Sequence, residues 1–410
     1  MDPIEEAHRR WWPQVLAATV RFTRDLDLAQ DCVQEAYLKA FAAWSQEVPR
    51  NRAAWLTTAA RRLAIDRMRR EATLRSKLPL LVIEDDETST PETDLLRLIF
   101  TCAHPALSPD AQLVLALRLL GGLTVTEIAA GLLLKEATVA ARITRAKQKI
   151  AAAGIPFRVP SEAEFPERLT AVLEVIHLIH TAGHTAPEGA ELTRPDLSAK
   201  ARDLAGMLAE LMPTQSEVQG LLAVCLLTDA RVEARTDEDG ALLLLADQDR
   251  SAWDQDLVHA GLRAATQSLR GGVCRYALQA AIAGLHAQAP SIEHTDWGLI
   301  VTMYDGLLAT WPTPVVALNR LAAVSMVPGT DLVEVLAELD ALGAEPPLLA
   351  YPYLPAIRAD VLRRLGRFAQ AESAYAVAAA LTGNEAERAY LRRREEEVGG
   401  WGRDVGVTSA

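Results

Sequence analysis

Residues 49–77 read PRNRAAWLTTAARRLAIDRMRREATLRSK, and their reading decides how the rest of the chain is placed. Nine basic residues (Arg50, Arg52, Arg61, Arg62, Arg67, Arg69, Arg70, Arg75, Lys77) stand against two acids, Asp66 and Glu71, in a chain of net charge −12. Apolar Trp55, Leu56, Ala59, Leu63, Ile65 and Met68 recur at helical spacing, so the stretch reads as a helix with an inner side and an arginine-rich side. Guanidinium groups arrayed this way suit phosphate oxygens, because their planar fork donates paired N–H bonds and keeps its charge.

Upstream, residues 5–44 repeat apolar positions every three to four residues (Val15, Leu16, Val20, then Leu28, Cys32, Val33, Ala36, Tyr37, Ala40, Phe41, Trp44), which predicts helices. Trp44 and Trp55 lie on that apolar side and read as core rather than as a platform for an unpaired base. Downstream, Ile83–Pro91 has the composition of a flexible tether, and its Glu84–Glu87 run reads as solvated linker. Helical periodicity returns at Asp94–Cys102. Ser108-Pro109 has the form of a capped helix start, and Thr124 or Thr126 caps the next. Glu136–Ile150 then turns Val139, Ile143, Ala146 and Ile150 inward and leaves Lys135, Thr138, Arg142, Arg145, Lys147 and Lys149 for a DNA groove and its phosphates. The pattern is a helix-turn-helix, with Gly121-Gly122 read as a turn rather than a phosphate cradle.

The 410 residues predict two to three domains. Half are apolar and 5% aromatic, which suits an Ala/Leu-rich helical protein. No apolar run reaches a membrane span, and no secretory leader is read at Met1–Arg10. Cys32, Cys102, Cys225 and Cys274 stand far apart and read as reduced thiols of a cytoplasmic protein. Charge divides unevenly: residues 1–155 carry a net +2 and residues 156–410 a net −14. Beyond residue 160 the pattern is helix after helix, apart from a turn at Asp239-Gly240 leading to a short strand. Pro314–Leu342 and Pro352–Leu381 each read as helix, glycine turn (Gly329, Gly366) and second helix, close to a tetratricopeptide period.

Two sets of motifs carry a family resemblance. Asp27–Phe41 (DLAQDCVQEAYLKAF), Ala54-Trp-Leu with Arg61–Arg67 (RRLAIDR), and Thr124–Lys149 resemble the two conserved domains of a bacterial sigma factor of the extracytoplasmic-function group. Leu98–Leu107, Ala153–Phe157, Asp247–Asp254 (DQDRSAWD) and Pro314–Arg320 (PVVALNR) resemble a subgroup with a long, helical, tetratricopeptide-like C-terminal extension. The resemblance implies an all-α chain: sigma region 2 over 1–78, a linker over 79–93, a region 4 helix-turn-helix over 94–155 and the extension over 156–410. It implies polymerase contacts at Asp31, Gln34, Glu35 and Leu38. Asn51 and Arg52 would lie in the loop receiving an extruded base, and Arg61, Arg62, Arg67, Arg69 and Arg70 would follow the DNA. Departures are Leu133 where a glycine is usual, Ala140 and Ala141 in place of larger polar residues, and Asp66 amid arginines.

The expectation is a non-enzymatic promoter-specificity subunit. Its partners are core RNA polymerase, promoter DNA and an unknown protein held by the extension, with no membrane and no cofactor. The extension would regulate or support the activity, as a brake competing with DNA for the basic helices or as a brace. A stand-alone helix-turn-helix regulator and a helical-repeat scaffold are the alternatives. His177, His180 and His184 fall on one helix face, but no Cys or carboxylate completes a zinc set, so they read as partly buried histidines.

Overall fold

The arginine stretch folds as one of eighteen α-helices in a computed structural model describing residues 3–45, 47–71, 90–132, 134–186, 188–237 and 241–408. The expected Asp239-Gly240 turn, Leu133 and the tether over 83–89 lie outside the described residues. The chain divides into two compact units, Met1–Ile179 and His180–Ala410.

The first unit contains α1 (Pro3–Thr23), α2 (Leu26–Ala43), α3 (Arg52–Glu71), α4 (Pro91–Cys102), α5 (Pro109–Leu119), α6 (Val125–Gly131), α7 (Glu136–Ala152) and most of α8 (Phe165–His184). Starts follow side-chain chemistry. The Asp25 carboxylate accepts from the N–H groups of Asp27 and Leu28, and Ser108 accepts from Ala111 with Pro109 in the first turn. Thr90 caps α4 with Pro91 in its first turn, so that helix begins three residues before the expected Asp94. Along α3 the buried line is Leu56, Ala60, Leu63 and Ala64, whereas Trp55, Ala59, Ile65 and Met68 are half-buried.

Helix α1 is the spine of this unit. Its Trp12 Nε1 donates to the Leu119 carbonyl at 3.1 Å, and Tyr37 Oη donates to the Ala7 carbonyl at 3.1 Å. Gly122 has φ +71°, and a Cβ there would meet His8 at 2.7 Å and the Trp12 ring at 3.1 Å, so glycine is required twice over. Arg21 reaches the buried Asp94 at 3.0 Å, which also pairs with the buried Arg97 at 3.2 Å.

The second unit continues with α9 (Pro195–Leu211), α10 (Ser216–Asp229), α11 (Gln255–Arg270), α12 (Arg275–Gln288), α13 (Trp297–Thr310), α14 (Pro314–Met326), α15 (Leu332–Leu342), α16 (Tyr353–Arg364), α17 (Phe368–Leu381) and α18 (Glu385–Thr408). The two expected hairpins are α14/α15 and α16/α17, turning at Gly329 (φ +81°) and Gly366 (φ +71°). Leu318, Leu336, Leu339, Leu362, Tyr375 and Val398 share one core across them. Extended pairing is minimal among the described residues. A parallel pair, β1 (Glu188–Gly189) with β2 (Gly383–Asn384), and a bridge between Thr236 and Leu242 make it up. The Asn384 side chain fastens the pair by donating to the carbonyls of Ala186 (3.1 Å) and Glu191 (2.9 Å). Among the described residues no helix is long and apolar enough to cross a membrane. Cys32, Cys102 and Cys225 are buried and Cys274 is half-buried.

His180 is buried against Asp229 (3.0 Å), whose other oxygen accepts from Arg202 at 2.8 Å. His184 sits beside Arg231. Among the described residues no group of three or more His, Cys, Asp or Glu is placed to hold a metal.

Burial, then Arg231 and Arg250, depresses the His286 pKa to about 4. An unfolded histidine titrates near ~6.5, so the unfolded chain binds more protons between the two values. Stability should therefore fall as pH drops through that window, by at most ~1.4 kcal/mol per pH unit for this one group. Urea midpoints of wild type and His286→Gln between pH 7 and 4.5 check this; parallel pH profiles would refute it.

Candidate nucleic-acid interface

Two basic helix faces lie on the first unit. On α3, Arg61, Arg62 and Arg69 are exposed on the side away from the buried Leu56–Leu63 line. The Arg61 guanidinium lies over the Phe22 ring at 5.2 Å while the residue as a whole stays exposed. The Arg70 side chain lies outside the described residues, as do Arg75 and Lys77. The Asn51 side chain accepts from the Ala54 N–H at 2.9 Å and so caps α3. Arg52 pairs with Glu6 at 2.7 Å and lies 5.9 Å from the Trp11 ring centre. Asp66 is exposed.

On α7 the buried residues are Val139, Ile143, Ala146 and Ile150, the four read as inward-facing. Lys135, Arg145 and Lys149 are exposed, as are Ala140 and Ala141, while Thr138 is half-buried. The preceding α6 starts with a reciprocal capping box. Thr124 Oγ1 accepts from the Glu127 N–H at 3.1 Å, and Glu127 Oε2 accepts from the Thr124 N–H at 2.6 Å. α5, α6 and α7 thus form the expected helix-turn-helix.

Helix α2 supplies a third surface. Gln34 is exposed, and Leu38 and Phe41 are 71% and 67% exposed. The three are spaced at i, i+4 and i+7, so they share one face. Phe41 was expected inside with Tyr37 and Ala40. The inner stripe of α2 instead ends on Tyr37, Ala40 and Trp44, and Phe41 turns to the Gln34 side, the position its seven-residue spacing already encodes. Trp44 is buried, with its ring edge-on to Trp55 at 5.6 Å.

The carboxylates of α2 and the cations of α3 and α7 face one another. Arg67 donates to Glu35 at 2.8 Å and to Asp31 at 3.4 Å, and Lys39 also approaches Glu35 at 3.4 Å. Lys147 donates to Asp27 at 2.6 Å and to the Gln30 side-chain Oε1 at 2.8 Å; its own side chain is only 11% exposed. Arg142 pairs with Asp110 at 2.8 Å. Of the thirteen residues expected on DNA, the structure holds Arg52, Arg67, Arg142 and Lys147 in ion pairs. It leaves Arg61, Arg62, Arg69, Lys135, Arg145 and Lys149 exposed. Asp27 and Gln30 were not singled out from sequence, because a partner 120 residues away leaves no local pattern.

Three family models match this chain: Sigma-70 region 2 on residues 8–73, Sigma-70 region 4 on residues 97–150, and a family of unknown function (DUF6596) on residues 168–269. A protein of Rhizobium meliloti (strain 1021), named only as uncharacterized, is 39% identical over 399 residues, covering 94% of this chain and 93% of its own. No solved structure matches.

Proposed function

Because the chain belongs to the sigma-70 family, as an extracytoplasmic-function type factor with a long C-terminal extension, we propose that α2 docks its first unit on core RNA polymerase while α3 and α7 take promoter DNA. Promoter-specific transcription initiation is the family's task, and polymerase and DNA are the partners it implies. The observation that carries the residue-level reading is the placement of two arginine- and lysine-bearing helix faces on one unit, beside an α2 face with exposed Leu38 and Phe41.

In this reading Asp31, Gln34, Glu35 and Leu38, with Phe41 added, contact polymerase. Asn51, Arg52, Arg61, Arg62, Arg67, Arg69 and Arg70 serve the start-proximal promoter element, and Lys135, Thr138, Arg142, Arg145, Lys147 and Lys149 the distal one. Docking exchanges ion pairs: phosphates replace the carboxylates at Arg67, Arg142 and Lys147, and α2 turns Asp31 and Glu35 to the polymerase. Residues 79–93 link the two DNA-binding parts. The chain acts without catalysis of its own, in the cytoplasm where polymerase works. The extension over 156–410 regulates or supports it and holds a further protein.

Run-off transcription with core polymerase on genomic DNA should give discrete transcripts. Arg61→Ala with Arg62→Ala should reduce them and flatten the log–log salt dependence of promoter binding by about 0.9 per lost phosphate contact. Absence of both transcripts and polymerase co-purification would point to the stand-alone or scaffold reading.

A further inference from the structure

Inside the second unit three guanidiniums lie near one another, and among the described residues one of them, Arg231, pairs with no carboxylate. Arg231 follows α10 and is half-buried. Among the described residues it forms no ion pair, and its hydrogen-bond partner is His184 Nε2 at 3.5 Å. The neighbouring charges that bear on it are Arg235 and Arg250, both positive. Burial and then these two cations push its pKa down to about 10. Glu387 and Glu293 act on Arg235 and Arg250 instead. Those two guanidiniums are also tied down. Arg235 donates to the His184 carbonyl and the Thr185 hydroxyl. Arg250 donates to the carbonyls of His286 (2.6 Å) and Ala289 (2.7 Å) and to the Thr295 hydroxyl (3.3 Å).

Two imidazoles complete the cluster. A guanidinium only donates, so His184 Nε2 accepts from Arg231 and the ring proton sits on Nδ1. That Nδ1 is buried with no partner, and so is His286 Nδ1. Burial comes first in holding both rings neutral, followed by Arg235 and Arg231 at His184 and by Arg231 and Arg250 at His286. His286 is at the same time a wall of a cavity of about 280 Å³. Trp297, Ile300 and Tyr304 line it from α13, and Asn319 and Ser325 from α14. The Trp297 ring stands edge-on to His286 at 5.3 Å. The carboxylate in its lining, Asp360, accepts from Arg363 at 2.6 Å and is thereby neutralised.

We propose that the Arg231–His184–His286 cluster and the adjoining cavity bind a small organic anion, a phosphate or carboxylate on a single-ring or short aliphatic body. The anionic group is drawn to the His286 end of the cavity, where Arg250 holds the His286 carbonyl and Arg231 adds its positive charge from behind the lining, and the body lies on Trp297, Ile300 and Tyr304. The volume sits just below that of drug-sized ligand cavities, ~300–1,000 Å³, which suits a small ligand, and the mixture of apolar floor and few polar groups is typical of them. A half-buried cation without a counter-charge adds little to stability, and an anion from solution supplies what the fold omits. The site lies wholly in the second unit, so it holds or fails irrespective of how α2, α3 and α7 act.

Calorimetric titration of the full chain with phenyl phosphate, benzoate and phenol tests this. Phenyl phosphate or benzoate should bind and phenol, the uncharged counterpart, at least tenfold more weakly. Arg231→Met should weaken the anion at least tenfold while its ligand-free Tm stays level or rises, because the substitution removes an uncompensated charge. Trp297→Leu should weaken phenyl phosphate more than inorganic phosphate. Anions that bind no better than phenol, undiminished binding by Arg231→Met, or a Tm lowered by that substitution would each overturn the site.

Discussion

Leu38→Glu combined with Phe41→Glu should lower affinity for core RNA polymerase at least a hundredfold and leave thermal stability unchanged. Both side chains already face solvent, so the free fold loses no packing when they change. In the docked state each would give up its apolar surface to the partner, worth ~1.5–3 kcal/mol per side chain. Together that is ~3–6 kcal/mol, and each ~1.4 kcal/mol is tenfold in affinity. Buried aromatic and aliphatic anchors commonly dominate an interface, and a glutamate there adds the cost of a desolvated charge. Fluorescence anisotropy of labelled protein against core enzyme measures the change. The same glutamate at Leu349, an equally exposed apolar residue of the second unit, serves as the control. Equal affinities for the double variant and the wild type would remove α2 from the docking surface.

The second large effect is on stability. Asp94→Ala should destabilise the first unit by about 3–5 kcal/mol, the usual cost of taking one partner from a buried ion pair. Asp94 is 2% exposed and lies between Arg21 at 3.0 Å and Arg97 at 3.2 Å. Arg97 is itself buried, so its guanidinium loses a counter-charge that water does not replace. Arg21→Ala tests the other half: its side chain is 40% exposed against 6% for Arg97, so water can take over more of its charge and its loss should cost only about 0–1 kcal/mol. Urea titration of the full chain reads both, fitted with two transitions because the units need not unfold together. Similar costs for the two variants would show that Arg97 does not depend on this carboxylate.

Features whose causes are local were legible in the sequence. The inward line Val139–Ile143–Ala146–Ile150 follows from a 3.6-residue period, and Ser108 and Thr124 announce α5 and α6 by the bonds their hydroxyls accept. Gly329 and Gly366 mark turns because both adopt positive φ. Pairings set by tertiary packing were not legible. Nothing in the spacing of Asp31, Glu35 and Arg67 says that the carboxylates expected on polymerase hold a cation expected on DNA. The same holds for Lys147 with Asp27 and Gln30, and for Arg231, whose significance lies in the carboxylate that its surroundings lack. Phe41 was misplaced for a narrower reason: at the edge of an apolar stripe, hydrophobicity alone does not say which way a ring turns.

The short clasp of β1 with β2 bears on how the chain is made. Asn384 reaches back 198 residues to the Ala186 carbonyl, so the second unit closes only when almost the whole chain exists. At about 5–20 residues per second, that interval of synthesis lasts roughly 10–40 seconds on the ribosome. The DNA-binding front has emerged long before. A nascent, basic, folded front end is therefore exposed to nucleic acid while its acidic rear is still being translated.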